Sequence, residues 1–160
     1  MKVLANDGIS QSGIDALQAK GFEVITTNVA QEQLISYINE NKVTVLLVRS
    51  ATTARKDLVD SCPSLKIIGR GGVGMDNIDV DYAREKGLKV INTPASSSAS
   101  VAELVFAHLY GGVRFLHDSN RNMPLEGESN FKGLKKAYAK GIELRGKTIG
   151  IIGFGRIGQE

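Results

Sequence analysis

The stretch Val43-Thr44-Val45-Leu46-Leu47-Val48-Arg49-Ser50 decides the fold. Its first six residues are almost all aliphatic, and two polar residues follow at once. A strand without polar–apolar alternation indicates a sheet that is buried on both faces, as parallel sheets are. The segment therefore predicts an inner strand of a parallel sheet, with Arg49 and Ser50 just past its carboxyl end.

Similar apolar runs lie on both sides of this strand and alternate with amphipathic helical patterns. Such alternation predicts a doubly wound α/β domain with a parallel sheet, because each strand needs a crossover helix to reach the next. We place this domain at residues 1–96. Its other predicted strands are Lys2–Ala5, Glu23–Thr26, Lys66–Ile68 and Leu88–Ile91, and its clearest helices are Ser10–Lys20, Gln31–Asn41 and Val80–Lys86.

The pattern changes after Asn92-Thr93-Pro94. Ser100-Val101-Ala102-Glu103 has the spacing of a capping box, which predicts a long helix from Val101 to about His117. Residues 120–141 are polar and carry three glycines without a clear period, which favours a loop with a short helix. A break followed by a long helix is typical of a connection between domains. We therefore assign residues 97–160 to a second domain.

Thr148-Ile149-Gly150-Ile151-Ile152 predicts one more buried strand, directly before Gly153-Phe154-Gly155-Arg156-Ile157-Gly158. A strand that opens a βαβ unit needs a helix and a second strand to bury it. We expect 97–160 to be the beginning of a nucleotide-binding domain. In the chain as given, its last dozen residues should be disordered or paired with another chain, and its NAD affinity should be poor.

The glycines of this second segment have the spacing of a dinucleotide turn. Gly153 permits the tight turn, Gly155 lets the backbone approach a pyrophosphate, and Gly158 lets the helix pack close to the strand. Arg156 adds a positive charge beside the helix N-terminus, and Ile157 follows it. A plain tight turn is the alternative. The acidic residue that distinguishes NAD from NADP would lie ~20 positions further on.

A second segment with the same spacing, Gly69-Arg70-Gly71-Gly72-Val73-Gly74, has a different environment. Asp76 and Asp79 follow it, and two carboxylates would repel a pyrophosphate. Successive glycines still form a nest of N–H groups that binds small anions, so we assign the segment to a substrate carboxylate, with a purely structural turn as the alternative. Arg49 and Arg70 end neighbouring strands and suit a phosphate or a carboxylate in one crevice, unless both are simply exposed.

Composition excludes several other classes of function. The net charge of +3 and pI of 9.0 are too weak to indicate a nucleic-acid-binding protein. No apolar run is long enough to span a bilayer. The single cysteine, Cys62, favours a reducing cytoplasm over a disulfide-forming compartment. His108 and His117 have no partners at metal-site spacing, so we predict no metal.

Taken together and in order, these motifs resemble the D-isomer-specific 2-hydroxyacid dehydrogenases. The resemblance covers essentially the whole chain. It rests on Val48–Thr52, Ile68–Asp79, Asn92–Pro94 with Ser100–Glu103, and Leu144–Thr148 leading into Gly153–Gly158.

The resemblance implies a flavodoxin-like substrate domain followed by the start of a Rossmann NAD domain. It also implies NAD as cofactor, a small anionic 2-hydroxy or 2-oxo acid as substrate, and a homodimer for the full-length enzyme. Within the family, the Arg-Ser and Gly-Arg-Gly-Gly segments look most like the subfamily that oxidises 3-phosphoglycerate to 3-phosphohydroxypyruvate in serine biosynthesis.

The resemblance also assigns roles to individual residues. The phosphate would be held by Arg49 and Arg70, with Ser50 beside them, and the carboxylate by backbone N–H groups of the glycine loop. Asn77 would support the loop, and Val73 would also lie close to the nicotinamide. The loop residues concerned are Gly71, Gly72 and Val73, and the NAD pyrophosphate would contact Arg156 and Ile157.

The family's catalytic Arg, Glu and His would lie downstream of Glu160, so we expect no catalytic residue in this chain and no turnover by the chain alone. Two segments depart from the family pattern. Ser96-Ser97-Ser98 stands where the family usually has an Asn, and Asn130–Leu134 replaces a Trp-containing segment. The open alternatives are a dehydrogenase of lactate, glycerate or glyoxylate, an NAD-binding corepressor-like module, and a half-domain that binds nothing.

Overall fold

A computed structural model describes all 160 residues, Met1–Glu160, and confirms the predicted α/β fold. Five parallel strands form one sheet in the order β2-β1-β3-β4-β5. The five strands predicted for residues 1–96 all form, with ends that shift by at most two residues. The strands are β1 (Lys2–Ala5), β2 (Glu23–Ile25), β3 (Val45–Val48), β4 (Ile67–Arg70) and β5 (Lys89–Asn92).

One face of the sheet carries the main hydrophobic core. Leu4, Leu46, Ile68 and Val90 are register partners in neighbouring strands, so their side chains form one row across the sheet. All four are 7 % exposed or less. Burying a large aliphatic side chain contributes about 1.5–3 kcal/mol, so this row is a main source of the stability of the sheet.

Three of the four helices of this domain pack buried side chains into that core. They are α2 (Gln31–Asn41), α3 (Lys56–Ser61) and α4 (Val80–Glu85), whereas α1 (Gln11–Ala19) contributes no fully buried residue. The buried helix residues of the core are Leu34, Ile38, Leu58, Val59 and Ala83.

The opposite face of the sheet is covered less completely. Val3 and Ala5 are buried there, but Ile91 on the edge strand β5 is 45 % exposed. The prediction of burial on both faces therefore holds for the inner strand β1 and not for β5, because an edge strand has a neighbour on one side only.

The chain divides into two compact units, Met1–Ser96 and Ser97–Glu160. The second unit contains α5 (Ser98–Val113), α6 (Leu116–Tyr138) and the short α7 (Arg156–Gln159). None of the helices is both long and apolar enough to cross a membrane.

The predicted capping box at Ser100 was wrong. The helix begins at Ser98 with Ser97 as its N-cap residue, and no side chain caps it. Ser98 and Ala99 cost little in a helix, so the helix extends to an earlier start. It ends at Val113, before the predicted His117, because Phe115 has a left-handed backbone conformation (φ 54°).

Residues 120–141 were also predicted wrongly, as a loop with a short helix. They lie mostly in the 23-residue helix α6, which contains Pro124 and has non-helical angles at Asn130 (φ −133°, ψ 29°). Its buried residue Leu134 and the contact of the Phe115 and Tyr138 rings, 6.0 Å between centroids, stabilise the helix despite its glycines and proline. Tertiary packing thus outweighs the weak local propensity.

The predicted strand at Thr148–Ile152 does not form. A strand exists only when another strand accepts and donates its backbone hydrogen bonds, and this segment pairs with no strand. Its apolar side chains are correspondingly exposed, with Ile149 at 59 % and Ile151 at 54 %.

Candidate functional site

The carboxyl ends of β3, β4 and β5 meet at one edge of the sheet. Val48 pairs with Arg70, and Arg70 pairs with Asn92, so the residues that follow each strand emerge side by side. Arg49 and Arg70 line one cavity of about 520 Å³, together with Asp7, Ser10 and Thr93. The structure therefore brings the two predicted arginines together at the edge where open α/β sheets bind ligands.

The guanidinium of Arg70 is bonded to its own loop. Its Nε donates to the carbonyl oxygen of Arg49 at 3.2 Å, and its Nη1 donates to the carbonyl oxygen of Gly74 and to Asp76 Oδ1, the latter at 3.2 Å. The side chain is 15 % exposed. Arg70 thus braces the loop, while Arg49 is exposed at the surface.

Fewer backbone N–H groups of the glycine loop are free than its successive glycines predict. The N–H of Gly71 donates to Val48 O (2.9 Å), and that of Gly72 to Arg70 O (3.1 Å). The N–H groups of Val73 and Gly74 have no protein acceptor. An anion would therefore meet Val73 and Gly74 rather than Gly72. The Val73 side chain is 47 % exposed at the same point.

Asn77 is buried and holds the segment that follows β3. Its Nδ2 donates to the carbonyl oxygens of Arg49 (2.8 Å) and Thr52 (2.6 Å). Its Oδ1 is buried without a partner. Ser50 lies in this segment and is exposed, with no side-chain hydrogen bond. Asn77 therefore holds the 49–52 segment directly. It also supports the glycine loop indirectly, because the carbonyl oxygen of Arg49 accepts from Arg70 as well.

Sequence reasoning missed two residues of this site, Asp7 and Asn92. Asn92 Nδ2 donates to Val73 O at 2.6 Å, and the next residue, Thr93, donates its N–H to Gly72 O at 3.1 Å. The Asp7 carboxylate accepts from the N–H of Arg49 at 2.6 Å. Both residues could have been found by the rule that singled out Arg49, because Asp7 and Asn92 lie at the carboxyl ends of β1 and β5.

The environment of Asp7 keeps its carboxylate ionised. Partial burial raises the pKa of Asp7, but hydrogen bonds from the Thr52 hydroxyl and from backbone N–H groups, Arg49 first among them, hold the pKa below the ordinary value. Because both carboxylate oxygens accept hydrogen bonds, the negative charge is partly neutralised where Asp7 lines the cavity with Arg49 and Arg70.

Apart from Val73, the predicted cofactor residues lie in the second unit, in α7 and in the turn before it. Gly153 has a φ of +95°, which only glycine adopts without strain, and a Cβ on Gly158 would lie 2.5 Å from Gly153 O. A Cβ on Gly155 would meet no atom within 4 Å. The backbone conformation thus requires glycine at 153 and packing requires it at 158, whereas neither requires it at 155, where the open space leaves room for a pyrophosphate. The turn fits a dinucleotide.

Arg156 and Ile157 begin the short helix after this turn. Both are exposed, Ile157 at 41 %, and the N–H of Gln159 donates to Gly155 O at 3.1 Å. Their side chains are therefore accessible to a ligand that approaches Gly155.

Cys62 and the two histidines do not line the cavity of Arg49 and Arg70. Cys62 is buried, and burial raises the pKa of its thiol to about 11, so the thiol stays protonated and is a poor nucleophile. His108 and His117 are exposed in the second unit. No group of three or more His, Cys, Asp or Glu side chains is arranged to hold a metal ion.

Known proteins are similar to this chain in both sequence and fold. Residues 3–148 match the family described as D-isomer specific 2-hydroxyacid dehydrogenase, catalytic domain. The D-3-phosphoglycerate dehydrogenase of Methanocaldococcus jannaschii is 40 % identical over 100 % of this chain and 29 % of the relative. The hydroxypyruvate reductase of Thermotoga maritima is 42 % identical over 99 % of this chain and 50 % of the relative.

A solved structure gives the same result. The NAD-dependent formate dehydrogenase of Staphylococcus aureus, in complex with NAD, has a TM-score of 0.76 and 28 % identity over 99 % of this chain and 51 % of that chain. The present chain thus spans between about a third and a half of the length of these proteins. With a family match along most of its length and with the site at the carboxyl edge of the sheet, the chain belongs to the D-isomer-specific 2-hydroxyacid dehydrogenase family.

Proposed function

We propose that this chain supplies the substrate-binding domain and the nucleotide turn of an NAD-dependent oxidoreductase that oxidises 3-phosphoglycerate to 3-phosphohydroxypyruvate. The observation that carries the proposal is the carboxyl edge of the sheet, where Arg49 and Arg70 line one cavity and the glycine loop that follows β4 leaves the N–H groups of Val73 and Gly74 unpaired. Convergent N–H groups and arginines are suited to an anionic substrate with two acidic groups.

In this proposal each residue has a defined task. The N–H groups of Val73 and Gly74 bind the carboxylate, and the exposed guanidinium of Arg49 pairs with the phosphate. Arg70 and Asn77 hold the loop and the 49–52 segment in shape. A bound NAD would supply the hydride acceptor for oxidation of the 2-carbon, and Val73, whose side chain is exposed, is the loop residue that would contact the nicotinamide.

The proposed cofactor is NAD. Support comes from the turn at Gly153, Gly155 and Gly158, in which the space beside Gly155 is open although its backbone conformation does not require glycine, and from the similar formate dehydrogenase that was solved with NAD. Titration of the longer protein that carries this chain with NADH and with NADPH, followed by the amide signals of Gly155 and Arg156, tests the assignment. Shifts that appear only with NADPH would reverse the choice of cofactor, and shifts with neither would reject the site.

A dehydrogenase of unphosphorylated 2-hydroxy acids such as glycerate is the second candidate. The guanidinium of Arg70 is already bonded to Arg49 O and Gly74 O, which leaves Arg49 as the freely exposed cation of the cavity. One cation suits a single carboxylate better than it suits a carboxylate and a phosphate. The 42 % identity to a hydroxypyruvate reductase favours the same candidate function.

Turnover by the longer protein that carries this chain distinguishes the two candidates. We expect kcat/KM for 3-phosphoglycerate to exceed that for D-glycerate, and Arg49→Ala to lower the first by about 10²-fold while changing the second much less, since one charge-assisted contact to phosphate is lost. Arg84→Ala removes an exposed arginine of α4 and serves as the matched control. Equal losses for both substrates would favour the unphosphorylated acid.

A homodimer is the proposed assembly of the full-length enzyme. In the second unit, large apolar side chains of α5 are exposed, among them Leu104 (55 %), Val105 (51 %) and Phe106 (45 %). Grouped exposed apolar side chains are typical of protein interfaces. Sedimentation of the longer protein with Leu104→Glu tests the proposal, because a charge in a shared apolar interface should shift a dimer to a monomer.

A further inference from the structure

The Asp7 carboxylate is bonded almost entirely to one short segment. One oxygen accepts from the N–H of Arg49 (2.6 Å) and the N–H of Thr52 (3.1 Å), and the other accepts from the Thr52 hydroxyl (2.5 Å). These bonds connect residues 42 and 45 positions apart in the chain. The end of β1 therefore holds both ends of the 49–52 segment that follows β3.

A series of hydrogen bonds continues from this segment to the glycine loop. The N–H of Arg49 is held by Asp7, and the carbonyl oxygen of Arg49 accepts from Arg70 Nε (3.2 Å) and from Asn77 Nδ2 (2.8 Å). Arg70 in turn donates to Gly74 O. Asp7 is thus connected, through two intermediate residues, to the loop that presents the free N–H groups of Val73 and Gly74.

Thr52 and Asn6 form the buried part of this hydrogen-bond network. Its hydroxyl donates to Asp7 and accepts from Asn6 Nδ2 at 2.8 Å. Asn6 also donates to Val29 O (3.0 Å) and accepts from the N–H of Val29 (2.8 Å), so its amide cannot rotate freely. Asn6 and Thr52 are 3 % and 4 % exposed. This buried pair fixes the direction in which the Thr52 hydroxyl points at Asp7.

Asp7 lines the same cavity as Arg49 and Arg70, although a carboxylate would ordinarily repel an anion there. We propose that Asp7 is a positioning residue of the anion site, whose carboxylate fixes the Arg49 peptide and thereby the Arg70 brace of the glycine loop. The inference rests on the proposed function, since it assigns Asp7 to the same anion site. It predicts that removal of this negative charge weakens anion binding, whereas simple electrostatics predicts the opposite.

The test is a titration of the 160-residue chain with inorganic phosphate and with 3-phosphoglycerate, followed by the amide signals of Val73 and Gly74. We expect Asp7→Asn to raise both Kd values by about tenfold, because an amide accepts hydrogen bonds at only one of the two positions where the carboxylate accepts them, and it carries no charge. Asp15→Asn has the same change in charge at an exposed position bonded only to Gln11, and it should leave Kd unchanged. A purely structural role would lower stability without changing the Kd of the folded protein.

Thr52 provides an independent pair of variants if Asp7→Asn does not fold. Thr52→Ser keeps the hydroxyl and should bind as the unaltered chain does, whereas Thr52→Val should lose affinity as Asp7→Asn does. A Kd that stays the same or falls in the folded Asp7→Asn and Thr52→Val variants overturns the inference and leaves the proposed function standing. Absence of any response in the unaltered chain rejects the proposed anion site, and with it the role of Asp7.

Discussion

At the scale of single residues, the three glycines of the 153–158 turn are required for different reasons. Gly158→Ala would place a Cβ 2.5 Å from a backbone oxygen, whereas Gly155→Ala would meet no protein atom within 4 Å. We expect Gly158→Ala to distort the turn at a cost of about 1–3 kcal/mol. Gly155→Ala should leave stability unchanged and weaken NAD binding.

Chemical unfolding and NAD titration of both variants measure the two effects separately. Equal NAD affinity of Gly155→Ala and the unaltered chain would contradict the assignment of Gly155 to the NAD site.

Asp7 also makes stability depend on acid pH. Its pKa in the folded chain lies below the ordinary value of 3.8, so its stabilisation is fully present above that pH and is lost as the pH falls through the folded pKa. Hydrogen bonds to a partly exposed carboxylate suggest a contribution of about 1–2 kcal/mol at neutral pH. Urea unfolding between about pH 2 and pH 6 should show a steeper loss for the unaltered chain than for Asp7→Asn.

Asp15→Asn serves again as the control in that experiment. Its profile should follow that of the unaltered chain. Parallel profiles of Asp7→Asn and the unaltered chain would show that Asp7 has the same pKa in the folded and unfolded states, and that its hydrogen bonds do not favour the ionised form.

At the scale of elements, α6 forms although it contains a proline. Pro124 has no N–H and lies well inside the helix, so one backbone hydrogen bond of the ladder is missing there. Pro124→Ala restores that donor at a site where Pro124 is exposed. We expect it to raise the stability of the second unit by about 1–3 kcal/mol, measured as an increase in Tm and in helical circular dichroism.

Pro94→Ala is the matched comparison, because Pro94 lies between β5 and α5 outside any helix. It should leave Tm nearly unchanged. A Tm for Pro124→Ala that does not exceed that of the unaltered chain would mean that Pro124 does not cost α6 a stabilising hydrogen bond.

At the scale of the whole molecule, backbone protection should differ sharply between the two units. The amides of β3 and β4 are bonded on both sides within the sheet, whereas Thr148–Ile152 pairs with no strand. Hydrogen exchange follows the free energy of local opening. In the monomeric chain we expect the β3 and β4 amides to exchange slowly and those of Thr148–Ile152 to exchange at nearly the rate of an unfolded peptide.

The same experiment at several concentrations separates two causes of protection. Protection of Thr148–Ile152 that increases with concentration would indicate pairing with a second chain through this unpaired segment. Strong protection in a dilute monomer would contradict the absence of a strand there.

Residue patterns that act locally were enough to predict the sheet of the first domain and the glycine turns. Val43–Val48 could be predicted as a buried strand because a continuous run of apolar residues is visible in the sequence alone. Gly153 and Gly158 were recognisable for the same reason, since the turn before α7 involves about six consecutive residues, although the strand predicted to precede it does not form. The sequence also predicted that Arg49 and Arg70 are neighbours, because a parallel sheet places the carboxyl ends of its strands at one edge and both residues lie at such ends.

Only the tertiary structure decided how the side chains at that edge are used. Asp7 meets Arg49 and Thr52 across more than 40 positions in sequence, and the guanidinium of Arg70 is bonded to its own loop instead of standing free. The helix over residues 116–138 and the unpaired segment at 148–152 likewise depended on which distant groups were present to pack or to pair. Hydrogen bonding and burial depend on proximity in space, and a linear pattern contains that information only for residues that are close in the chain.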